Sequence, residues 1–234
     1  MFERVARRYD LLNRLISLGQ DRGWRRRTVR RLDPAAGQRV LDLGAGTGDL
    51  ALEIARAATE VQIVAADFTR EMVAIGRRRS GSAPVRWLIA EAGKLPFRQT
   101  AFDAVGSAFL LRNLSSVEPA LSDQLRVLKP GGRWAALDTT PAGPGLLRPL
   151  IELHFRVVIP LLGRLVAGQP QAYRYLPAST RGFLPAEALA ARVRQAGFEQ
   201  VGFERLMLGT VAIHWGVRGA GPLDRGVSTG RVAG

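Results

Sequence analysis

The chain has 234 residues, of which 47% are apolar and 23% charged, a balance that fits one soluble globular domain. It has no cysteine, which excludes disulfides, thiolate metal sites and cysteine nucleophiles, and its two histidines, His154 and His214, are too far apart in sequence to imply a metal centre. The net charge of +14 rests on 32 arginines and only two lysines, and half of it (+7) lies in residues 1–31.

Such an arginine bias is what a GC-rich genome produces, so the total charge does not require a nucleic-acid partner. Its concentration in residues 1–31 suits steering toward an anionic membrane surface or an acidic ligand, with a merely solvated basic face as the other reading. The opening "MFERVARRYD" lacks the apolar core of a secretory signal. A cytoplasmic protein, peripheral at the inner face of the membrane, is therefore expected.

Residues 3–32 read as helical, with a break at "SLGQD", where Gly19 ends one helix and Asp21 caps the next. "RVLDLGAG" (39–46) reads as a buried strand running into glycines, and "DLALEIARAA" (49–58) as a helix with an acidic first turn. The strand "VQIVAAD" (61–67) precedes a helix over "TREMVAIGRRR" (69–79), with Thr69 as its N-cap. Strands over 85–91 and 102–111 follow, then a helix over 117–128 and a strand over 133–139. This alternation predicts a parallel sheet covered on both faces.

Beyond it, the apolar stretch 145–168 carries Arg148, Glu152, Arg156 and Arg164, too many charges for a membrane span. Residues 140–184 read as an insertion forming a substrate-binding lid, with Tyr173, Arg174 and Tyr175 in its loop. A helix over 185–197 and two strands joined by Gly209 close the domain as an antiparallel edge hairpin that contains His214. Residues 1–218 thus form one domain, and the small polar tail 219–234 is expected to be disordered.

The segment "VLDLGAGTGDL" (40–50) carries the chemistry. Asp42, Gly44, Gly46 and Gly48 lie where a strand turns into a helix, and the glycines let a ligand approach the backbone. A dinucleotide site would read G-x-G-x-x-G, but here Asp49 stands at the last glycine's position. A carboxylate in the first helical turn opposes a pyrophosphate there. S-adenosylmethionine fits better, since it has no phosphate and carries a sulfonium and an ammonium that suit nearby acids. Asp67 ends the second strand, where an acid can accept both ribose hydroxyls, and Glu91 ends the third, within reach of an adenine edge. The fold expected is a class I S-adenosylmethionine-dependent methyltransferase: α/β, Rossmann-like, with a mostly parallel seven-stranded sheet and an antiparallel C-terminal hairpin.

Several longer segments carry a resemblance. "RYDLLNRLISLGQDRGWR" (8–25), "LDLGAGTGDLA" (41–51), "LRN" (111–113), "RVLKPGG" (126–132) and "GRLVAGQPQAYRYLPAS" (163–179) resemble the menaquinone/ubiquinone-biosynthesis C-methyltransferases. Those enzymes methylate a ring carbon of a polyprenylated quinol. The resemblance covers residues 2–218 and implies cofactor contacts from Thr47, Asp67, Glu91 and Ala92. Where that family usually has glycine, serine and L-E-F-S, this chain has Leu110, Ala108 and "LDTT" (137–140), and Glu91 replaces an aspartate or asparagine. Leucine in place of glycine removes space beside the reaction pocket, so a paralogue acting on another lipid or a small phenolic acceptor stays open. A reading from another class, a basic RNA-binding protein on this scaffold, is disfavoured because Trp24 alone could stack among the N-terminal arginines. No nucleic-acid partner is expected, and the oligomeric state, a homodimer included, is left open.

Methyl transfer to an aromatic carbon needs that carbon made nucleophilic, most directly by ionising the adjacent hydroxyl. For a phenol of pKa about 10, lowering the pKa by three units corresponds to about 4 kcal/mol. A fixed cation in a dry pocket acts on that scale. In "FLLRNL" (109–114), Arg112 is the expected stabiliser of the phenolate and Asn113 its orienting partner, with Tyr9 as a proton relay or ring contact. Arginine stays protonated above pH 12, so Arg112 is not expected to be the base.

Overall fold

The computed structural model describes Ser17, residues 19–142 and residues 183–221. Tyr9, the helical expectation for residues 3–16, the apolar 145–168 stretch, Tyr173 to Tyr175 and the tail from residue 222 lie outside the described residues.

Helix α1 (Asp21–Leu32) leads into β1 (Arg39–Leu43), α2 (Asp49–Ala57), β2 (Gln62–Asp67), α3 (Arg70–Ser80) and β3 (Val85–Ile89). Then come β4 (Phe102–Ala108), a 3-10 turn (Leu111–Asn113), α4 (Glu118–Val127) and β5 (Leu128–Thr139). After residue 183 the chain forms α5 (Ala186–Gln195), β6 (Phe198–Leu206) and β7 (Val211–Arg218). The seven strands lie in the order β3-β2-β1-β4-β5-β7-β6. The first five pair in parallel, and β7 runs antiparallel between β5 and β6. The chain steps outward one way from β1 and the other way from β4. Their carboxyl ends therefore flank the switch point, where open α/β sheets bind ligands.

Alternation along β1 divides the core. Leu41 and Leu43 face the layer holding Leu121, Trp134, Leu189 and Phe198, whereas Val40 faces Leu32, Leu50, Ile54 and Trp87. Trp87 fills a gap made by two glycines. A Cβ on Gly48 would lie 2.9 Å from its ring, and one on Gly76 would collide with it outright. The indole Nε1–H donates to Ser80 Oγ at 3.1 Å, so this buried ring is also satisfied as a donor.

Several element boundaries differ from the sequence reading. Asp21 is the first residue inside α1 and not its cap. Gln20 holds the cap position without a side-chain bond, and the Asp21 carboxylate instead accepts from Ser17 Oγ and Arg25. Thr69 does precede α3 with extended backbone, but its side chain makes no capping bond. Strand β3 stops at Ile89, so Glu91 lies two residues beyond it. Strand β4 stops at Ala108, because Phe109 takes a left-handed φ of 61° and breaks the pleat. Arg112 and Asn113 therefore sit on a 3-10 turn and not directly at the end of the strand. The C-terminal pair forms the expected antiparallel hairpin at the sheet edge, with β6 outermost and β7, which carries the buried His214, inside it. The His214 ring stacks on Phe203 and meets the Ala186 carbonyl at 2.9 Å, away from the cavity described next.

Candidate cofactor and acceptor site

A cavity of about 580 Å³ opens at the carboxyl ends of β1, β2 and β4. Asp42, Gly44, Gly46 and Thr47 line one side of it, with Asp67, Glu91 and Ala92 beside them. Arg112 and Asn113 line the other side. The structure thus brings together every expected site residue among those it describes; Tyr9 lies outside the described residues.

All three glycines of the turn are left-handed, with φ of 66°, 56° and 93° at Gly44, Gly46 and Gly48. Only glycine adopts such a run without strain. Above Gly46 no atom lies within 4 Å of where a Cβ would stand, so the backbone there faces open space. Backbone N–H groups fix the acids around this turn. Asp67 accepts from Gly46 N and Thr69 N, both at 2.8 Å, one on each carboxylate oxygen. Asp42, 1% exposed, accepts from Ala51 N at 2.9 Å. Burial pushes Asp42 up to about 7, outweighing the Ala51 hydrogen bond and the nearby Arg25 charge that pull it down. Glu91 is exposed and lies 3.7 Å from Lys94.

Asp49 does not stand as a lone charge at the start of α2. Arg79 reaches it from α3 at 2.8 Å and Arg25 from α1 at 3.3 Å. Arg79 also donates to the Thr47 hydroxyl and, at 3.2 Å, to the Thr47 carbonyl, which ties α3 to the glycine turn. The repulsion of phosphate inferred from Asp49 is therefore partly offset by two guanidinium groups. Among the N-terminal arginines expected to steer toward a membrane, Arg25 is not a surface charge. Only 7% exposed, it points into the cavity wall and pairs with Asp21 at 2.6 Å.

Across the cavity, Arg112 makes a buried pair with Asp138 near the end of β5, at 2.8 Å. The same carboxylate accepts from the Arg112 and Thr139 backbone N–H groups. Arg112 Nε is buried without a partner among the described residues. Asn113 donates from Nδ2 to the Phe109 carbonyl at 3.0 Å, closing the turn. Leu110 has ordinary helical angles (φ −93°, ψ −52°), so the strain falls on Phe109 instead. Its side chain packs against the glycine turn, with Cδ1 2.7 Å from where a Gly44 Cβ would lie.

Sequence reasoning passed over four contributors. Trp24 and Arg25 line the cavity from α1, where their helical spacing resembled ordinary packing and surface charge. Phe68, 74% exposed at the cavity edge, follows the strand-ending Asp67, and that adjacency was the available signal. Asp138 had none, since only the fold brings it to Arg112.

The family model described as the ubiE/COQ5 methyltransferase family matches residues 1–218. The chain belongs to that family. A "Ubiquinone/menaquinone biosynthesis C-methyltransferase" of Desulfotalea psychrophila is 45% identical over 93% of this chain and 89% of its own length. A "Demethylmenaquinone methyltransferase" of Thermus thermophilus is 46% identical, covering 93% of this chain and 100% of that one. Among solved structures, an S-adenosylmethionine-dependent methyltransferase of Thermotoga maritima matches with TM-score 0.64 at 20% identity, over 93% and 97% of the two chains. The [4+2]-cyclase SpnF matches with TM-score 0.66 at 23% identity, over 86% and 82%. That protein is named for a cyclisation, so the fold by itself does not fix the reaction. Membership in the ubiE/COQ5 family does: this is an S-adenosylmethionine-dependent methyltransferase of the class I fold.

Proposed function

We propose that this ubiE/COQ5 methyltransferase methylates a ring carbon of a polyprenylated quinol, with demethylmenaquinol or the related ubiquinone-pathway quinol as acceptor. The observation that carries the reading is one cavity joining a glycine turn and its acids to a buried arginine pair, in a chain whose relatives bear quinone-biosynthesis names.

The residues present fit S-adenosylmethionine. Open space over Gly46 admits a ligand against the backbone, Asp67 holds lone pairs for ribose hydroxyls, and Phe68 offers an apolar face beside Glu91 and Ala92 for the base. Asp42 and its neighbouring acids suit a cationic amino-acid end. When bound, the cofactor supplies an electrophilic methyl group on sulfonium.

Arg112 then faces the acceptor. Its pairing with Asp138 makes the two net neutral, which weakens the long-range field on a phenol. What remains is directional donation from a guanidinium whose orientation is fixed by a buried partner. The quinol hydroxyl proton leaves to a base outside this pair, and Arg112 stabilises the oxygen charge. The glycine turn and Asp67 would hold the cofactor, whose methyl group passes to the ring carbon made nucleophilic by that charge. The ring proton displaced there would pass to water. Asn113 supports this by holding the turn that carries Arg112.

Among the described residues no helix is long and apolar enough to cross a membrane. Access to an isoprenoid substrate is instead assigned to contact with the inner membrane surface, from the cytoplasm. Exposed Arg22, Arg26 and Arg30 repeat at four-residue spacing on α1 and supply a basic stripe. Reversing Arg22 and Arg30 should weaken binding to anionic vesicles, and wild-type binding should fall as salt rises. Equal binding to neutral and anionic vesicles would remove this part of the proposal. A second reading, a smaller phenolic acceptor, is favoured only by Leu110, which narrows the space over Gly44.

The deciding experiment is expression of this chain in a host lacking its quinone methyltransferase, with mass spectrometry of the quinones. Restoration of the methylated quinone is the expected result. Persistent demethylated quinone alongside a folded, cofactor-binding protein would count against the acceptor and leave the methyltransferase assignment standing.

A further inference from the structure

Two buried arginines line the cavity, both close to a single ring. The Phe109 ring lies 5.7 Å from the Arg25 guanidinium carbon and 4.9 Å from that of Arg112. Each arginine is paired with one buried aspartate, Asp21 at 2.6 Å and Asp138 at 2.8 Å. In each, Nε is buried and has no partner among the described residues. Buried guanidinium donors are ordinarily satisfied, so an orphaned one beside a cavity calls for an external acceptor. Arg112, on the turn after β4, faces the acceptor side. Arg25, on α1, lines the cavity together with Asp42, the Gly44–Thr47 turn and Asp49.

The charges around Arg25 narrow what it can bind. Asp21, Asp42 and Asp49 surround it, so an extra cation alone would meet carboxylates and an isolated anion would meet repulsion. A zwitterion satisfies both: its ammonium suits the acids and its carboxylate needs one guanidinium. We propose that Arg25 is the counter-ion for the α-carboxylate of the cofactor's amino-acid end, and that Asp21 is the positioning residue that holds Arg25 for it. This rests on the cofactor assignment above. Asp49, gripped also by Arg79, shares Arg25 at the longer distance of 3.3 Å, which leaves that contact the easier one to exchange. The Arg25 fork suits a carboxylate better than a lysine ammonium would.

The test is calorimetry of the full chain with S-adenosylhomocysteine and with its decarboxylated analogue, which keeps the amine. Arg25→Met should weaken S-adenosylhomocysteine binding by about ten- to a hundredfold, the scale of a lost hydrogen bond to a charged group. It should change binding of the decarboxylated analogue far less. Arg25→Lys, which leaves Asp21 a charged partner, should give an intermediate loss confined to the carboxylate ligand, and it serves if the methionine variant does not fold. Equal weakening of both ligands would make Arg25 a purely structural residue, and unchanged S-adenosylhomocysteine affinity would overturn the proposal. Failure of the wild-type chain to bind either ligand would instead overturn the cofactor assignment.

Discussion

On the cofactor side of the cavity, main-chain N–H groups hold the acids: Gly46 and Thr69 on Asp67, Ala51 on Asp42. On the acceptor side, the key cation is held by another side chain, Asp138, 26 positions along the sequence. The first arrangement follows from a glycine turn and two strand ends, so it depends little on which residues surround it. The second depends on one ion pair between β5 and the 3-10 turn, with 5% and 2% of the two side chains exposed. A buried pair of that kind loses much more when one partner is removed than it gains by existing. Within one cavity, the side proposed for the cofactor is ordered largely by backbone and the side proposed for the acceptor by a side-chain ion pair. The acceptor side is therefore where substitution can change the substrate without disturbing the cofactor.

The largest expected effect tests that separation directly. Arg112→Ala should lower kcat by about 10²–10³, with S-adenosylhomocysteine affinity by calorimetry nearly unchanged. Lysine at this position should rescue only in part, since it keeps charge and loses the fork. A parallel fall in cofactor affinity would mean that the two sides are not separable. Asp67→Ala comes next: loss of the charged acceptor should weaken S-adenosylhomocysteine by about 2 kcal/mol, roughly thirtyfold. Unchanged affinity in a folded variant would take Asp67 out of the site.

A third effect is set by pH. Asp42 is raised from 3.8 to about 7, so the folded chain holds this proton more tightly than the unfolded one. Its contribution to stability is present at low pH and is lost as pH rises from 3.8 through about 7. Ionised Asp42 attracts a cationic ligand, so binding below pH 7 should release a proton. Affinity for S-adenosylmethionine should then rise with pH by at most about tenfold per unit and level off above 7. Asp42→Asn should flatten the profile, as calorimetric titrations across that range would register. The smallest effect concerns Leu110→Gly, which opens space over Gly44. Turnover of a bulky quinol relative to a small phenol should rise a few-fold, on the scale of a changed apolar contact. An unchanged ratio would rule Leu110 out as a selectivity residue.

Legibility from sequence followed the same division. The glycine turn, Asp42 and Asp67 were readable because their spacing to strands β1 and β2 is local and short. The alternation of strand and helix over 39–139 was readable for the same reason. Arg112 was found as an arginine in an apolar run, but its partner could not be, because Asp138 reads only as a strand residue until β4 and β5 pair. Phe109 gave no sign of its positive φ, which ended β4 three residues before the expected boundary and turned a strand end into a 3-10 turn. Arg25 cannot be told from its neighbours in sequence, because a run of three arginines looks uniform and only helix α1 turns the first of them inward while Arg26 and Arg27 stay exposed.

The gap that Gly48 and Gly76 leave for Trp87 has a practical consequence. The indole touches the last glycine of the turn that a ligand would lie against, yet it is only 8% exposed and does not itself line the cavity. Any shift of that turn changes the packing around a natural fluorophore without obstructing the ligand. Of the four tryptophans, Trp24 does line the cavity, so Trp24→Phe would remove direct contact quenching from the signal. Emission in that variant would follow the glycine turn through Trp87 against a constant background from Trp134 and Trp215, so ligand entry could be timed by stopped flow with no label attached.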